Sequence, residues 1–252
     1  MSDLTGLVFT SRFVSHPGAV RTVNEDAYLD APDAGVWAIA DGMGGHEGGE
    51  LASRVVVEAL EDLPKSEDAA ALLETIKDRL ESANDRIREI SLTRFVGRPI
   101  GSTIAVLAVR GQAGACVWAG DSRIYLLREG VLSRLTRDHS RVEELIAMGL
   151  LHEGEVTDTR TANIITRAIG VEADFSPEIR TVELSAGDIA LLCSDGLNKV
   201  VDDAELGDTL RQGLPLAVDV LLELALSRTP TDNVTFGVIQ ALPEEPPTLV
   251  RG

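Results

Sequence analysis

Strand-like segments dominate this sequence and come in consecutive groups. Short apolar runs rich in β-branched residues, mostly bounded by Gly, Asp or Asn, are typical of β-strands. They cover residues 36–40, 102–109, 113–119, 123–128, 179–184, 187–193 and 233–240. The groups 102–135 and 179–195 are separated from a helical block at 48–91, an order that predicts helices covering antiparallel sheets, the α+β class.

Helical periodicity is clearest in residues 48–62 and 68–91. The second segment repeats its apolar residues at steps of three and four: Leu72, Ile76, Leu80, Ala83, Ile87 and Ile90. Weaker patterns cover residues 140–149 and 215–227. Because each segment has a single apolar face, we expect these helices to pack on a sheet.

The length and ending of the chain favour one domain. A chain of 252 residues with 44% apolar and 25% charged residues has an ordinary globular composition. The one compositional break is the Pro- and Glu-rich stretch that begins at Pro243. We therefore expect a single domain over residues 1–242 and a short extended tail over 243–252.

The charge balance restricts the partners of the chain. A net charge of −18 repels polyanions, which disfavours binding to nucleic acid or to an anionic membrane surface. The first residues lack the basic and apolar regions of a signal peptide, and no apolar stretch approaches the ~20 residues of a membrane helix. These features predict a cytoplasmic protein.

Cysteine and histidine are scarce. Cys116 and Cys193 each lie inside an apolar run, so we expect buried free thiols rather than a disulfide or a zinc site. The sequence has only four histidines. A metal site in this chain must therefore use oxygen ligands, which favour hard cations.

Acidic residues follow the predicted strands. Strand-like runs end at Asp41-Gly42, at Asp121 and at Asp195-Gly196, Asp232 opens the last strand, and Glu25 and Asp26 lie near the start. A strand end holds a carboxylate rigidly at the rim of a sheet, and a neighbouring glycine allows close approach of an ion. Any one Asp-Gly pair could equally be an ordinary turn. Several such carboxylates in one place would repel one another unless divalent cations neutralised them.

These residues lie in motifs that resemble a known family. The motifs, in order, are Arg21-Thr22-Val23-Asn24-Glu25-Asp26, Asp41-Gly42-Met43-Gly44-Gly45-His46, Gly101-Ser102-Thr103, Ala119-Gly120-Asp121-Ser122-Arg123, Thr166-Arg167-Ala168-Ile169-Gly170, Ser194-Asp195-Gly196-Leu197 and Asp232-Asn233-Val234-Thr235. Together they are similar to the ordered motif set of the metal-dependent PP2C-like serine/threonine protein phosphatases in their bacterial form. The resemblance extends from residue 21 to 235, and an ordered set is far more specific than one Asp-Gly pair.

The resemblance implies a fold and a metal centre. The fold is a four-layer α-β-β-α sandwich with two antiparallel sheets flanked by helices, and two Mn²⁺ or Mg²⁺ ions bind at one end of it. By position, Asp41 would bridge both ions, Gly42 would lend its carbonyl to one, and Asp195 with Asp232 would complete the other.

Two further positions of the metal centre come from the same resemblance. Glu25 and Asp26 stand where the family has acidic ligands or groups that support them, and which of the two touches metal stays open. Asp121, with Asp195, would hold a third, weaker ion, as in bacterial members.

The resemblance also implies a reaction and its catalytic residues. A metal-bridging water or hydroxide would hydrolyse phosphoserine and phosphothreonine in proteins without a covalent intermediate. Asp41 would hold the ions, and Arg21 would clamp the phosphate through its planar two-donor fork. Eukaryotic members have a histidine where this chain has Met43. His46 is then either a substrate contact or proton donor, or a polar loop residue.

The cellular setting follows from the same resemblance. The substrates would be phosphorylated proteins made by a serine/threonine kinase, and the enzyme would act as a cytoplasmic monomer. Residues 139–178 stand where the family has a mobile flap, and their segment Thr157–Asn163 is polar, as suits an exposed loop.

Two other functions compete with an active phosphatase. A pseudophosphatase of the same fold would bind phosphoproteins without turnover, but the intact Asp41, Asp195 and Asp232 favour an active enzyme. An acidic calcium-binding β protein would use its carboxylates structurally, but the sequence has no twelve-residue EF-hand loop. Mn²⁺-dependent turnover separates these possibilities.

Overall fold

The helices and strands occur in the blocks that the sequence predicts. The computed structural model describes residues 6–45, 47–64, 68–152 and 164–244. The strands are β1 (Leu7–His16), β2 (Asp26–Ala31), β3 (Val36–Met43), β4 (Gly101–Ser102), β5 (Ile104–Arg110), β6 (Ala113–Ala119), β7 (Arg123–Arg128), β8 (Val131–Arg134), β9 (Glu178–Glu183), β10 (Ile189–Cys193) and β11 (Val234–Pro243). The helices are α1 (Glu47–Leu60), α2 (Ala69–Arg94), α3 (Arg141–Ala147), α4 (Asp195–Asn198), α5 (Asp203–Leu210) and α6 (Leu216–Ser227).

These strands form two antiparallel sheets. One has the order β1-β11-β10-β7-β8, and the other has the order β2-β3-β5-β6-β9, with the short β4 paired beside β3. The first and last strands of the chain are neighbours, since Leu7 lies opposite Pro243 and His16 opposite Val234. The sheet edges are therefore β1 and β8 in one sheet and β2 and β9 in the other.

The core has three apolar layers. Trp37 and Ile39 lie fully buried between the two sheets, where they meet residues of β5, β7 and β10. Helices α1 and α2 pack on the outer face of the β3-β5-β6 sheet, and α5 and α6 pack on the outer face of the other. This arrangement confirms the four-layer α-β-β-α sandwich.

The helix boundaries agree with the sequence where capping is explicit. Asp68 precedes α2 and accepts a hydrogen bond from the amide of Ala70 at 2.9 Å, and Ser140 caps α3 through the amide of Glu143. The short helices α4 and α5, of four and eight residues, were not predicted.

Three of the four edge strands were not predicted, whereas the fourth, β9, matches the predicted run 179–184. The edge strands β1, β2 and β8 alternate half-buried with exposed residues, so none forms an apolar run. The predicted run 102–109 is divided into β4 and β5 at Thr103. The last strand ends at Pro243, one residue beyond the predicted domain boundary.

Two smaller predictions concern burial. Cys116 and Cys193 are buried free thiols, as expected. Within the described ranges, no helix has both the length and the apolar character needed to span a bilayer. The polar segment Thr157–Asn163 lies outside the described residues.

Candidate metal centre

The predicted acidic residues meet at one end of the sandwich. Asp41 stands near the end of β3, Asp121 follows β6, Asp195 follows β10, and Asp26 and Asp232 lie at the starts of β2 and β11. Both sheets therefore contribute carboxyl groups. The pKa of Asp41 is raised well above its usual range, first by burial and then by the charges of the other four aspartates.

Asp26 and Asp41 face each other across neighbouring strands. Like charges directly opposite in an antiparallel pair destabilise a sheet. Burial raises the pKa of Asp26 to about 7, against the lowering effect of hydrogen bonds to Thr235 and Ser194 and with further raising by Asp195 and Asp232. This pair is therefore costly unless a proton or a cation offsets the charge.

The backbone of Asp41 is fixed by the polar segment between β4 and β5. Its amide donates to Thr103 Oγ1 at 3.0 Å, and its carbonyl accepts from the Thr103 amide at 2.8 Å and from Ser102 Oγ at 3.1 Å. Thr103 Oγ1 also lies 2.7 Å from Ser122 Oγ, beside Asp121. Hydrogen bonds through Thr103 thus connect the end of β3, which carries Asp41, with the loop that carries Asp121.

Gly42 lies where no side chain fits. A Cβ there would stand 2.0 Å from the carbonyl oxygen of Gly49 in α1 and 2.6 Å from that of Glu25. Its amide donates to the Glu25 carbonyl at 3.1 Å. The glycine therefore lets α1 and the Glu25 backbone close on the strand next to Asp41.

Asp121 and Asp195 are more than nine-tenths buried. Among the described residues, Oδ1 of each has no hydrogen-bond partner. Burial first and the neighbouring Asp195 second raise the pKa of Asp121 to about 7. Burial also raises the pKa of Asp195, although Lys199, whose Nζ donates to Asp195 Oδ2, opposes this effect. Unpartnered buried carboxylate oxygens are a strong indication of a ligand.

Arg21 lies at the open side of the acidic end. Its Nη2 is 3.1 Å from Asp232 Oδ1, its Nη1 is 3.9 Å from Glu25 Oε2, and its Nε donates to the Thr231 carbonyl at 3.3 Å. The side chain is 47% exposed, so a substrate can reach the guanidinium. The structure thus brings Arg21, Glu25 and Asp232 together.

Some residues that support the site received no role from the sequence. Ser194 Oγ donates to Asp26 Oδ2 at 2.9 Å. Asn233 accepts from the Glu25 amide at 2.8 Å and donates to the carbonyls of Pro17 and Val23. Lys199 stands four residues after Asp195, a spacing that places two side chains on one helix face, and this spacing was the available signal.

The donors suit hard cations. Every predicted ligand is an oxygen donor, and the buried, unpartnered oxygens of Asp121 and Asp195 fit a divalent ion. In the part of the chain that the structure describes, no three His, Cys, Asp or Glu side chains already close around one ion position. Asp26, Asp195 and Asp232 are instead turned to Ser194, Lys199 and Arg21. His46 lies outside the described residues.

Proteins that resemble this chain in sequence are protein phosphatases. The family described as Protein phosphatase 2C matches residues 18–221. The protein phosphatase PhpP of Streptococcus pneumoniae is 32% identical over 236 residues, which are 90% of this chain and 96% of that protein.

Solved structures agree in fold. A structure described as PppA, a key regulatory component of T6SS in Pseudomonas aeruginosa, is 42% identical with a TM-score of 0.86 and covers 93% of this chain and 98% of its own. The catalytic domain of the serine/threonine protein phosphatase PstP, in complex with two manganese ions, is 34% identical with a TM-score of 0.82, covering 94% and 99%. From the family match, these similarities and the shared sandwich, we conclude that this chain belongs to the protein phosphatase 2C family of serine/threonine protein phosphatases.

Proposed function

We propose that the acidic end of the sandwich is the catalytic centre of a Mn²⁺- or Mg²⁺-dependent phosphatase that acts on phosphoserine and phosphothreonine in proteins. One observation carries this proposal: buried carboxyls from both sheets meet at one end, and two of their oxygens have no partner among the described residues. The two manganese ions in the PstP catalytic domain support the choice of metal.

The proposed ligands divide between the sheets. From the β3 side come Asp41 and the carbonyl of Gly42, and from the β10 and β11 side come Asp195 and Asp232. Glu25, directly before β2, and Asp26, at the start of β2 in the same sheet as Asp41, are proposed as further ligands or as supports for ligands. These residues would hold two divalent cations, which would supply a hydroxide at neutral pH and offset the charge of the phosphoryl oxygens. Asp121, beside Asp195, lies at the position where bacterial members of the family would hold a third, weaker ion.

Arg21 is the proposed phosphate clamp. Its planar guanidinium can donate hydrogen bonds to two phosphate oxygens at once. The contacts with Asp232 and with the Thr231 carbonyl hold the guanidinium at the acidic end. His46, three residues beyond Met43, is proposed as a substrate contact or proton donor to the leaving serine or threonine oxygen.

Replacing Arg21 by lysine should lower kcat/KM for a phosphothreonine peptide by about 10- to 100-fold. A charge-assisted hydrogen bond to a charged group is worth about 1.5–3 kcal/mol, and lysine offers a point charge in place of a two-donor fork. Arg12 is a matched control, because it also pairs with an aspartate at the surface, Asp219, with 45% of its side chain exposed. Equal kcat/KM values in Arg21→Lys and Arg12→Lys would contradict the role of Arg21 as the phosphate clamp.

The remaining proposals concern the whole protein. Residues 1–242 form one phosphatase domain and 243–252 a short tail. The enzyme acts as a cytoplasmic monomer in signalling, on phosphorylated proteins made by a serine/threonine kinase, without nucleic acid or membrane. Part of residues 139–178, the proposed flap, lies outside the described residues.

The test is hydrolysis of p-nitrophenyl phosphate and of a phosphothreonine peptide with Mn²⁺, Mg²⁺, Ca²⁺ or EDTA. We expect turnover that needs Mn²⁺ or Mg²⁺ and stops in EDTA. A folded protein that binds Mn²⁺ without turnover would instead be a pseudophosphatase. Tighter binding of Ca²⁺ than of Mn²⁺, again without turnover, would favour a structural calcium site.

A further inference from the structure

A lysine reaches into the acidic end from the second sheet. Lys199 directly follows α4, and its ammonium donates to Asp195 Oδ2. The Lys199 side chain is 41% exposed, whereas that of Asp195 is 11% exposed. The Lys199 side chain therefore reaches from the surface to Asp195, a buried residue that is a proposed metal ligand.

The same ammonium acts on Asp121. Burial lowers the pKa of Lys199, but Asp195, Asp121 and Asp232 together raise it above its usual value. Lys199 in turn lowers the pKa of both Asp195 and Asp121 against their burial. The charge of Lys199 thus acts on both Asp195 and Asp121. These are the two carboxyls whose Oδ1 atoms lack partners among the described residues.

Lysine is an unusual choice in this chain. The sequence has 23 lysines and arginines, of which only Lys65, Lys77 and Lys199 are lysine. Other buried carboxyls of the molecule are paired with arginine forks: Asp138 with Arg123, and Asp188 with Arg128. A fork occupies both oxygens of a carboxylate. A lysine is a compact point charge, and at Asp195 it leaves Oδ1 available for another ligand.

We propose that the Lys199 ammonium takes the place between Asp195 and Asp121 where a third divalent ion would bind. The metal centre of this chain would then bind two divalent ions, and the Lys199 ammonium would supply the third positive group. This inference rests on the proposed function, since it assigns the metal stoichiometry of the same site. Repulsion between like charges a few ångströms apart makes binding of the ammonium and of a third ion mutually exclusive.

The test counts bound ions rather than turnover. Mn²⁺ binding to the purified chain is followed by equilibrium dialysis and by the electron paramagnetic resonance signal of unbound Mn²⁺. The wild type should bind two ions. Lys199→Met removes the charge but keeps the length, and it should bind a third ion at least about tenfold more tightly than the wild type does. Lys199→Gln gives a second neutral variant in case the first does not fold.

Three controls isolate the charge and its location. Lys199→Arg keeps the positive charge and should still bind two ions. Lys77→Met removes a lysine that contacts Glu74 on the surface of α2, and it should bind as the wild type does. Adding Asp121→Asn to Lys199→Met should return the count to two, because the third ion needs both Asp121 and Asp195.

The outcomes separate this inference from the proposed function. A wild type that binds no Mn²⁺ would overturn the metal centre itself. A wild type that binds two ions, with folded Lys199→Met and Lys199→Gln proteins that also bind two with unchanged affinities, would overturn the role of Lys199 alone. Three tightly bound ions in the wild type or in Lys199→Arg would do the same.

Discussion

Replacing Asp41 by asparagine should lower kcat/KM for a phosphothreonine peptide in Mn²⁺ by about 1000-fold or more. Asp41 is a proposed ligand of the metal centre, and an amide would offer one neutral oxygen in place of two charged ones. A metal-assisted reaction then loses several kcal/mol of charge stabilisation, and each 1.36 kcal/mol corresponds to tenfold in rate. Steady-state kinetics at saturating Mn²⁺ measures the loss.

The same variant should stay folded. The backbone of Asp41 keeps its hydrogen bonds to Thr103, and the substitution removes a buried charge that faces Asp26. We therefore expect the metal-stripped variant to melt no lower than the metal-stripped wild type. Asp33→Asn is the matched control, because Asp33 is exposed at the opposite end of the β2-β3 hairpin. Turnover in Asp41→Asn equal to that of the control would contradict the assigned centre.

Stability should fall with rising pH in the metal-stripped protein and should depend little on pH in the metal-bound protein. The pKa values of Asp26 and Asp121 are raised to about 7, mainly by burial, against about 3.9 in an unfolded chain. Between these values the folded, metal-stripped protein binds more protons than the unfolded chain. The stabilisation is complete below about pH 4 and is lost as the pH rises through about 7.

The expected change is large. Each pKa unit between the folded and unfolded states is worth about 1.4 kcal/mol. The free energy of unfolding in EDTA should therefore fall by a few kcal/mol between about pH 5 and pH 8. With Mn²⁺ it should stay nearly level over the same range, because the ion keeps the folded carboxylates deprotonated and the unfolded chain is already deprotonated above about pH 5. Free ligand at about 100 times its Kd adds about 2.7 kcal/mol.

Urea unfolding at several pH values, in EDTA and in Mn²⁺, measures both slopes. Asp121→Asn removes one of the titrating groups, so its slope in EDTA should be shallower than that of the wild type. Parallel slopes with and without Mn²⁺ would mean that the ion does not bind these carboxyls.

The sequence predicted the interior of the fold better than its margins. Strands buried on both faces, such as β5 and β10, are continuous apolar runs and were found with nearly the correct bounds. The edge strand β2 is half-exposed, and its partner β3 determines its position. An edge strand is thus set by pairing across the sheet, which is a tertiary property and leaves a weak local pattern.

The acidic residues of the site could be predicted from the sequence, whereas most of the residues that support them could not. The motifs named the acids at the strand ends, because each acid comes directly after an apolar run or opens one. The supports of these acids come from distant parts of the chain, as when Ser194 donates to Asp26 or Asn233 accepts from the Glu25 amide. Such partners follow from the meeting of two sheets, which no local spacing encodes. Lys199 is the exception, since it lies one helical turn from Asp195.

The pairing of β1 with β11 has a consequence for synthesis. The ribosome releases β1 first, and its neighbour β11 emerges roughly 10–45 s later at about 5–20 residues per second. Asp232 stands two residues before β11, so this acid of the centre is synthesised together with β11. A growing or truncated chain therefore lacks both a closed sheet and a complete ligand set. The ability to remove phosphate from other proteins therefore appears only after β11 has been synthesised.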